Sequence, residues 1–99
     1  MKTLANVHPG EILMEEFLKP MNVTAYKLSK SLGIPQIRIS AILKGNRGIT
    51  ADTALRFSLY FENSAKLWLG LQDDYELEEA QRTMQKELKK IKKIEVYAA

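Results

Sequence analysis

Residues 24–47, TAYKLSKSLGIPQIRISAILKGNR, constrain the fold of this 99-residue chain more than any other stretch. Leu28 and Leu32 stand four apart and Ile39 and Ile42 three apart, the spacing of one apolar face on each of two short helices. Between them Gly33 tolerates positive φ, and Pro35 presets the φ of a first helical turn. Thr24 is a good N-cap for the first helix, and Gly45 stands where a left-handed cap closes the second. Counting Ala25 as position one, Leu28, Leu32, Ile34, Ile39 and Ile42 fill the positions that must be apolar. Ser29 is the small residue where the helices cross. Helix, Gly-containing turn, helix is the pattern whose second helix enters the DNA major groove. An αα-hairpin used only for packing has the same outline, and charge separates the two. No acidic residue occurs from Phe17 to Ala51, whereas Lys19, Lys27, Lys30, Arg38, Lys44 and Arg47 are basic, the bias a phosphate-facing surface requires.

Composition narrows the remaining classes. A hydrophobic fraction of 45% allows a modest core in one domain. The absence of Cys excludes a disulfide framework and a thiolate metal site. No long apolar run and no signal-like start are present, which predicts a soluble cytoplasmic protein without membrane contact. His8 is the only histidine and reads as structural. With no phosphate loop and no metal-ligand cluster, neither an enzyme nor a metal or cofactor is expected. The net charge of +3 is segregated. Residues 1–70 carry nine basic and five acidic groups, residues 71–85 one and five, and residues 86–99 five and two.

In chain order, residues 1–7 read as a short arm. His8-Pro9-Gly10-Glu11 is a helix entry, with Pro at the first turn and Glu11 at the positive end of the helix dipole. Ile12, Leu13, Phe17 and Leu18 give the apolar face of a helix ending before Pro20, and Glu11, Glu15 and Glu16 fall on the other side. Thr50 caps a fourth helix, with Ala51, Leu55 and Leu59 at spacings of four and Ala54, Ser58 and Phe61 beside them. Asn63-Ser64 caps a fifth, lined by Leu67, Trp68, Leu71 and Tyr75. The expectation is an all-α, five-helix DNA-binding domain over residues 1–75 and a C-terminal helical, dimerising extension over 76–99. In the extension Leu77, Ala80, Met84, Leu88 and Ile91 continue an apolar stripe. Either the fifth helix simply runs on, or it is a dimer helix whose interface takes Trp68, Leu71, Tyr75, Leu77 and Met84. Lys93-Ile94-Glu95-Val96-Tyr97 alternates like a short terminal strand.

On the second helix of the motif, Ile39 and Ile42 define the inward direction at about 100° per residue. The opposite face carries Ile37, Ser40, Ala41 and Lys44, with Gln36 at the tip and Arg38 on the flank. Gln36 can bond adenine in pairs, Ile37 and Ala41 can meet a thymine methyl, and Ser40 suits either base type. Arg38 suits guanine or a phosphate, and both stay open. Thr24, Lys27, Lys44, Asn46 and Arg47 are candidates for phosphate contact.

These residues resemble the helix-turn-helix of the phage-repressor and Cro-like (XRE) family, which implies a lambda-repressor-like fold. The wider chain, over roughly residues 7–80, is similar to the HigA-type antitoxins. The likeness lies in His8-Pro9-Gly10-Glu11, in Ile49-Thr50-Ala51-Asp52-Thr53-Ala54-Leu55-Arg56, and in residues 67–77, LWLGLQDDYEL. Ala65 departs from the Pro common in that family at the first turn of the fifth helix. The resemblance implies a homodimer that binds double-stranded operator DNA and represses its own operon. It also implies a partner, a HigB-type mRNA endonuclease toxin held inactive in the complex. The alternative is a stand-alone regulator of the same family. A nuclease that cuts mRNA needs a basic surface, so its inhibitor gains from acidic residues. Glu11, Glu15 and Glu16 are favoured over Asp73, Asp74, Glu76, Glu78 and Glu79, because no lysine obviously balances them.

Overall fold

In the computed structural model the described residues are 6–96, and these form six helices without a strand. Helix α1 covers residues 9–21 in three registers: α over Pro9–Ile12, π over Leu13–Leu18 and α again over Lys19–Met21. His8 caps it, with Nδ1 accepting the Gly10 N–H at 2.9 Å, and Pro9 sits where no N–H is missed. The helix does not stop before Pro20 as the sequence suggests. The Lys19 N–H bonds the Met14 carbonyl, five residues back, and this wider turn gives the Pro20 ring room that an α-turn denies it. Asn22, left-handed at φ 56°, ends the helix.

Thr24 Oγ1 accepts the Lys27 N–H at 3.0 Å and starts α2, Ala25–Leu32. Gly33 closes α2 at φ 70°, and its N–H and that of Ile34 both bond the Ser29 carbonyl. Pro35 is not inside the next helix but caps it in an extended conformation, ahead of α3, Gln36–Leu43. A Schellman pair ends α3: Gly45 N–H to the Ile42 carbonyl and Asn46 N–H to the Ala41 carbonyl, with Gly45 at φ 78°. Thr50 caps α4, Ala51–Phe61, and Ser64 caps α5, Ala65–Thr83, which passes unbroken through position 75. The chain breaks at Met84 before the short α6, Gln85–Lys89. Residues 91–96 are irregular, so the strand expected over 93–97 is not formed in its described part; Tyr97 and residues 1–5 of the arm lie outside the described residues.

Trp68 is the centre of the core, wholly buried, with ring centroids of Phe57, Phe17 and Phe61 at 4.9, 5.0 and 5.9 Å. Its Nε1–H donates to Asn63 Oδ1 at 2.9 Å. Leu13, Leu18, Leu28, Ile39, Ile42 and Ala54 complete the core, and Leu32, Ile34 and Ser29 are buried beside them. Helix α4 turns an unexpected face inward. Phe57 takes the core position, and about 200° of helix separates it from both Leu55 and Leu59. Those two leucines are left 58% and 83% exposed. Gly10 allows α1 to press against α3, since a Cβ there would fall 1.8 Å from the Ile42 carbonyl oxygen.

Candidate nucleic-acid interface

Burial of Ile39 and Ile42 fixes the rotation of α3. Gln36, Ile37 and Lys44 are exposed, and Ser40 and Ala41 are partly so, on the face away from the core. Ile37 is 79% exposed, an apolar side chain with no cover from its own chain. It stands among short side chains, so a groove floor can approach this face closely. The phosphate candidates Thr24, Lys27, Lys44, Asn46 and Arg47 are all exposed. The Thr24 oxygen already accepts from the Lys27 N–H, and its hydroxyl proton remains available to a phosphate.

Arg38 stands apart from this group. Its side chain is turned to α4, with Nη1 3.6 Å from Asp52 Oδ2. Asp52 also accepts from Arg56 Nε at 2.6 Å, and Arg56 Nη1 donates to the Leu32 carbonyl at 2.7 Å. The chain Arg38–Asp52–Arg56–Leu32 therefore ties α3, α4 and the end of α2 together. The hydrogen bond from Arg56 is the main cause that holds the Asp52 carboxyl below its usual pKa, and the charge of Arg38 adds to it. In this geometry Arg38 is paired across α3 and α4 on the flank of the motif. Asp52 and Arg56 were missed as parts of the site because one acid and one base at a spacing of four signal only a helical pair.

The loop after α3, residues 44–50, carries Lys44, Asn46 and Arg47. Its Ile49 N–H donates to the buried Gln72 Oε1 at 2.8 Å, and the Arg47 carbonyl accepts from the His8 ring. Burial lowers the His8 pKa, and that carbonyl partly opposes the shift. Gln72 gave no signal in the sequence, since a glutamine in a helix is ordinary.

The five residues expected at a dimer interface differ in exposure. Trp68 is in its own chain's core and has nothing to offer a partner. Leu71 packs against that core, and Tyr75 meets the His8 ring edge-on at 4.8 Å. Only Leu77 and Met84 are exposed. Glu11, Glu15 and Glu16 are exposed on α1, but Lys19 does balance Glu15, at 2.8 Å. In the other cluster Glu79 accepts from Asn6 and Arg82, and Glu76 accepts from Gln72. The bond from Asn6, then that from Arg82, keep the Glu79 pKa below its usual value. Among the described residues there is no cluster fit to hold a metal ion, and no helix is long and apolar enough to cross a membrane.

No protein-family model matches the chain. Over 79 residues it is 49% identical to virulence-associated protein I of Dichelobacter nodosus, covering 80% of this chain and 73% of that one. An addiction module antidote protein of a HigA family from Coxiella burnetii superposes with a TM-score of 0.86 at 41% identity, covering 92% of this chain and 100% of the other. The antitoxin HigA of Pseudomonas aeruginosa, solved with the higBA promoter, gives a TM-score of 0.86 at 35% identity, over 89% and 97% of the two chains.

Proposed function

This chain belongs to the HigA family of helix-turn-helix antitoxins, and we propose that it binds operator DNA upstream of its own gene, as a homodimer, and neutralises a HigB-type mRNA endonuclease. The observation that carries the DNA reading is Ile37, 79% exposed on the outward face of α3, in a stretch of sequence from Phe17 to Ala51 that holds six basic residues and no acidic one. Gln36, Ile37, Ser40 and Ala41 read bases, and Thr24, Lys27, Lys44, Asn46 and Arg47 hold phosphates. The promoter complex of the Pseudomonas aeruginosa relative supports this reading. Membership of a family of DNA-binding regulators also argues against enzymatic activity.

Binding of a duplex from upstream of the gene, read by fluorescence anisotropy across a salt series, tests the proposal. Ile37→Ala and Gln36→Ala should each cost about 1–3 kcal/mol on that duplex and little on random DNA. Arg47→Ala should weaken both and reduce the salt slope by about one. Equal losses on both duplexes for Ile37→Ala would remove α3 as the reader.

For the toxin, the exposed acids Glu11, Glu15 and Glu16 supply the contact. Reversal of Glu15 and Glu16 should slow association with a HigB-type toxin, strongly at low salt and weakly at high salt. An unchanged rate, with loss on reversing Asp73 and Asp74, moves the contact to α5. The absence of any such partner leaves a stand-alone regulator.

A further inference from the structure

We propose that His8 and Gln72 are positioning residues for phosphate contact: from α1 and from α5 they hold the backbone of the loop that presents Lys44, Asn46 and Arg47. The inference rests on the DNA-binding reading and goes beyond it, because neither residue belongs to the outward face of the motif.

A short exposed loop that must offer cations in a fixed register loses affinity if it has to be ordered on binding. Here the ordering is done in advance. The Schellman pair fixes the start of the loop. The His8 ring lies against Gly45, where a Cβ would come 3.8 Å from its Cγ. Because Nδ1 accepts from the Gly10 N–H, the proton of the neutral ring sits on Nε2, the nitrogen left to meet the Arg47 backbone. Tyr75 meets the ring edge-on at 4.8 Å. From α5, Gln72 accepts the Ile49 N–H in a buried bond, and its Nε2 donates to Glu76 at 3.0 Å, which fixes the amide's orientation. Gly48 permits this approach, since a Cβ there would fall 2.7 Å from Gln72 Nε2. Residues 45, 47, 48 and 49 are thus each met by a side chain from outside the motif, while the Lys44, Asn46 and Arg47 side chains stay exposed. The helix-entry histidine and the α5 glutamine, distant in sequence, meet on one loop.

The two ring nitrogens of His8 can be separated by substitution. In His8→Asn the amide oxygen replaces Nδ1 and keeps the Gly10 cap, but the side chain ends short of Arg47. In His8→Gln the amide nitrogen replaces Nε2 and keeps the Arg47 bond, but the cap is lost. The full chain and its variants are titrated with the upstream duplex across a salt series, at a temperature where thermal unfolding shows each to be folded. His8→Asn should keep the wild-type unfolding midpoint, bind roughly tenfold more weakly, and lose about one unit of salt slope. Arg47→Ala should then add little in the His8→Asn background, because both act on one contact. His8→Gln should unfold earlier yet keep the wild-type slope, and Gln72→Leu should lose slope as His8→Asn does. Wild-type affinity in His8→Asn, or losses that add fully with Arg47→Ala, would overturn the inference. So would His8→Asn and His8→Gln falling equally in stability and in slope, which is the mark of a purely structural residue. A wild-type chain that binds no duplex refutes the DNA reading instead.

Discussion

Residues 25–49 bury the apolar frame of the motif and leave Ile37 and Tyr26 outside it, whereas the described stretch beyond Tyr75 buries none of its large apolar side chains. In the first, Leu28, Leu32, Ile34, Ile39, Ile42 and Ile49 are all at most 9% exposed, and capping bonds close the ends of α2 and α3. In the second, Leu77, Met84, Leu88 and Ile91, on the end of α5, the break, α6 and the stretch after it, are 39–72% exposed. A helix in water gains little from propensity alone and is sustained in proteins by its packed face. The motif is therefore specified within one chain, whereas the C-terminal stripe has the composition of a packed face without the packing.

The largest expected effect sharpens this contrast directly. Trp68→Ala removes the ring on which Phe17, Phe57 and Phe61 converge and should cost about 3–5 kcal/mol of stability. Leu88→Ala, an equally apolar truncation in the tail, should stay within about 0.5 kcal/mol in the monomer. Urea unfolding at low protein concentration measures both. Similar losses for the two would mean that the tail packs on its own chain after all.

The contrast also marks where sequence reasoning succeeds. The motif was legible because each local signal agrees with its neighbours: Thr24 caps, Gly33 and Gly45 turn left-handed, and the apolar frame is buried. The exit of α1 was not, because Pro20 reads as a stop and only the π register admits it. On α4, Leu55 and Leu59 have helical spacing, but spacing does not say which of two apolar faces wins, and Phe57 decides that through Trp68. Trp68 was assigned to an interface for the same reason, since a stripe at spacings of three and four looks alike in a core and at a dimer contact. Gln72, Asp52 and Arg56 act through tertiary contacts that no window of sequence contains. His8 was legible as structural, but not the loop it holds.

A smaller effect follows from proton linkage, at groups outside the motif itself. Burial lowers the His8 pKa in the folded chain below about 6.5, so the unfolded chain takes up the proton first. Stability rises with pH wherever the unfolded state binds more protons. The His8 contribution is therefore full above about pH 6.5 and declines as pH falls toward the folded pKa. Asp52 and Glu79 are also lowered, so their contributions are lost only on further acidification, below the ordinary carboxylate range of about 4. A pH series of unfolding midpoints should show two stages, and His8→Asn should abolish the first. A first stage that persists in that variant would assign it to another group.

The smallest expected change in stability tests the other side. A chain ending at Thr83 loses Met84, Leu88, Ile91 and the lysines of residues 86–93, none of which is buried. Its monomer should unfold within about 0.5 kcal/mol of the full chain, because surface removed without burial carries little energy. Its association should change far more if the uncovered stripe seats a second copy. Sedimentation at micromolar concentration then shows a weaker dimer, and the operator footprint loses one of two half-sites about 34–36 Å apart. A dimer indifferent to the deletion would place the two-fold contact elsewhere. Leu55 and Leu59 are then its natural seat, exposed on α4 beside a groove of about 370 Å³ lined by Ser31, Leu32, Arg56 and Tyr60. Leu59→Glu separates the cases, because it should break a dimer seated on α4 and leave one seated on the tail intact.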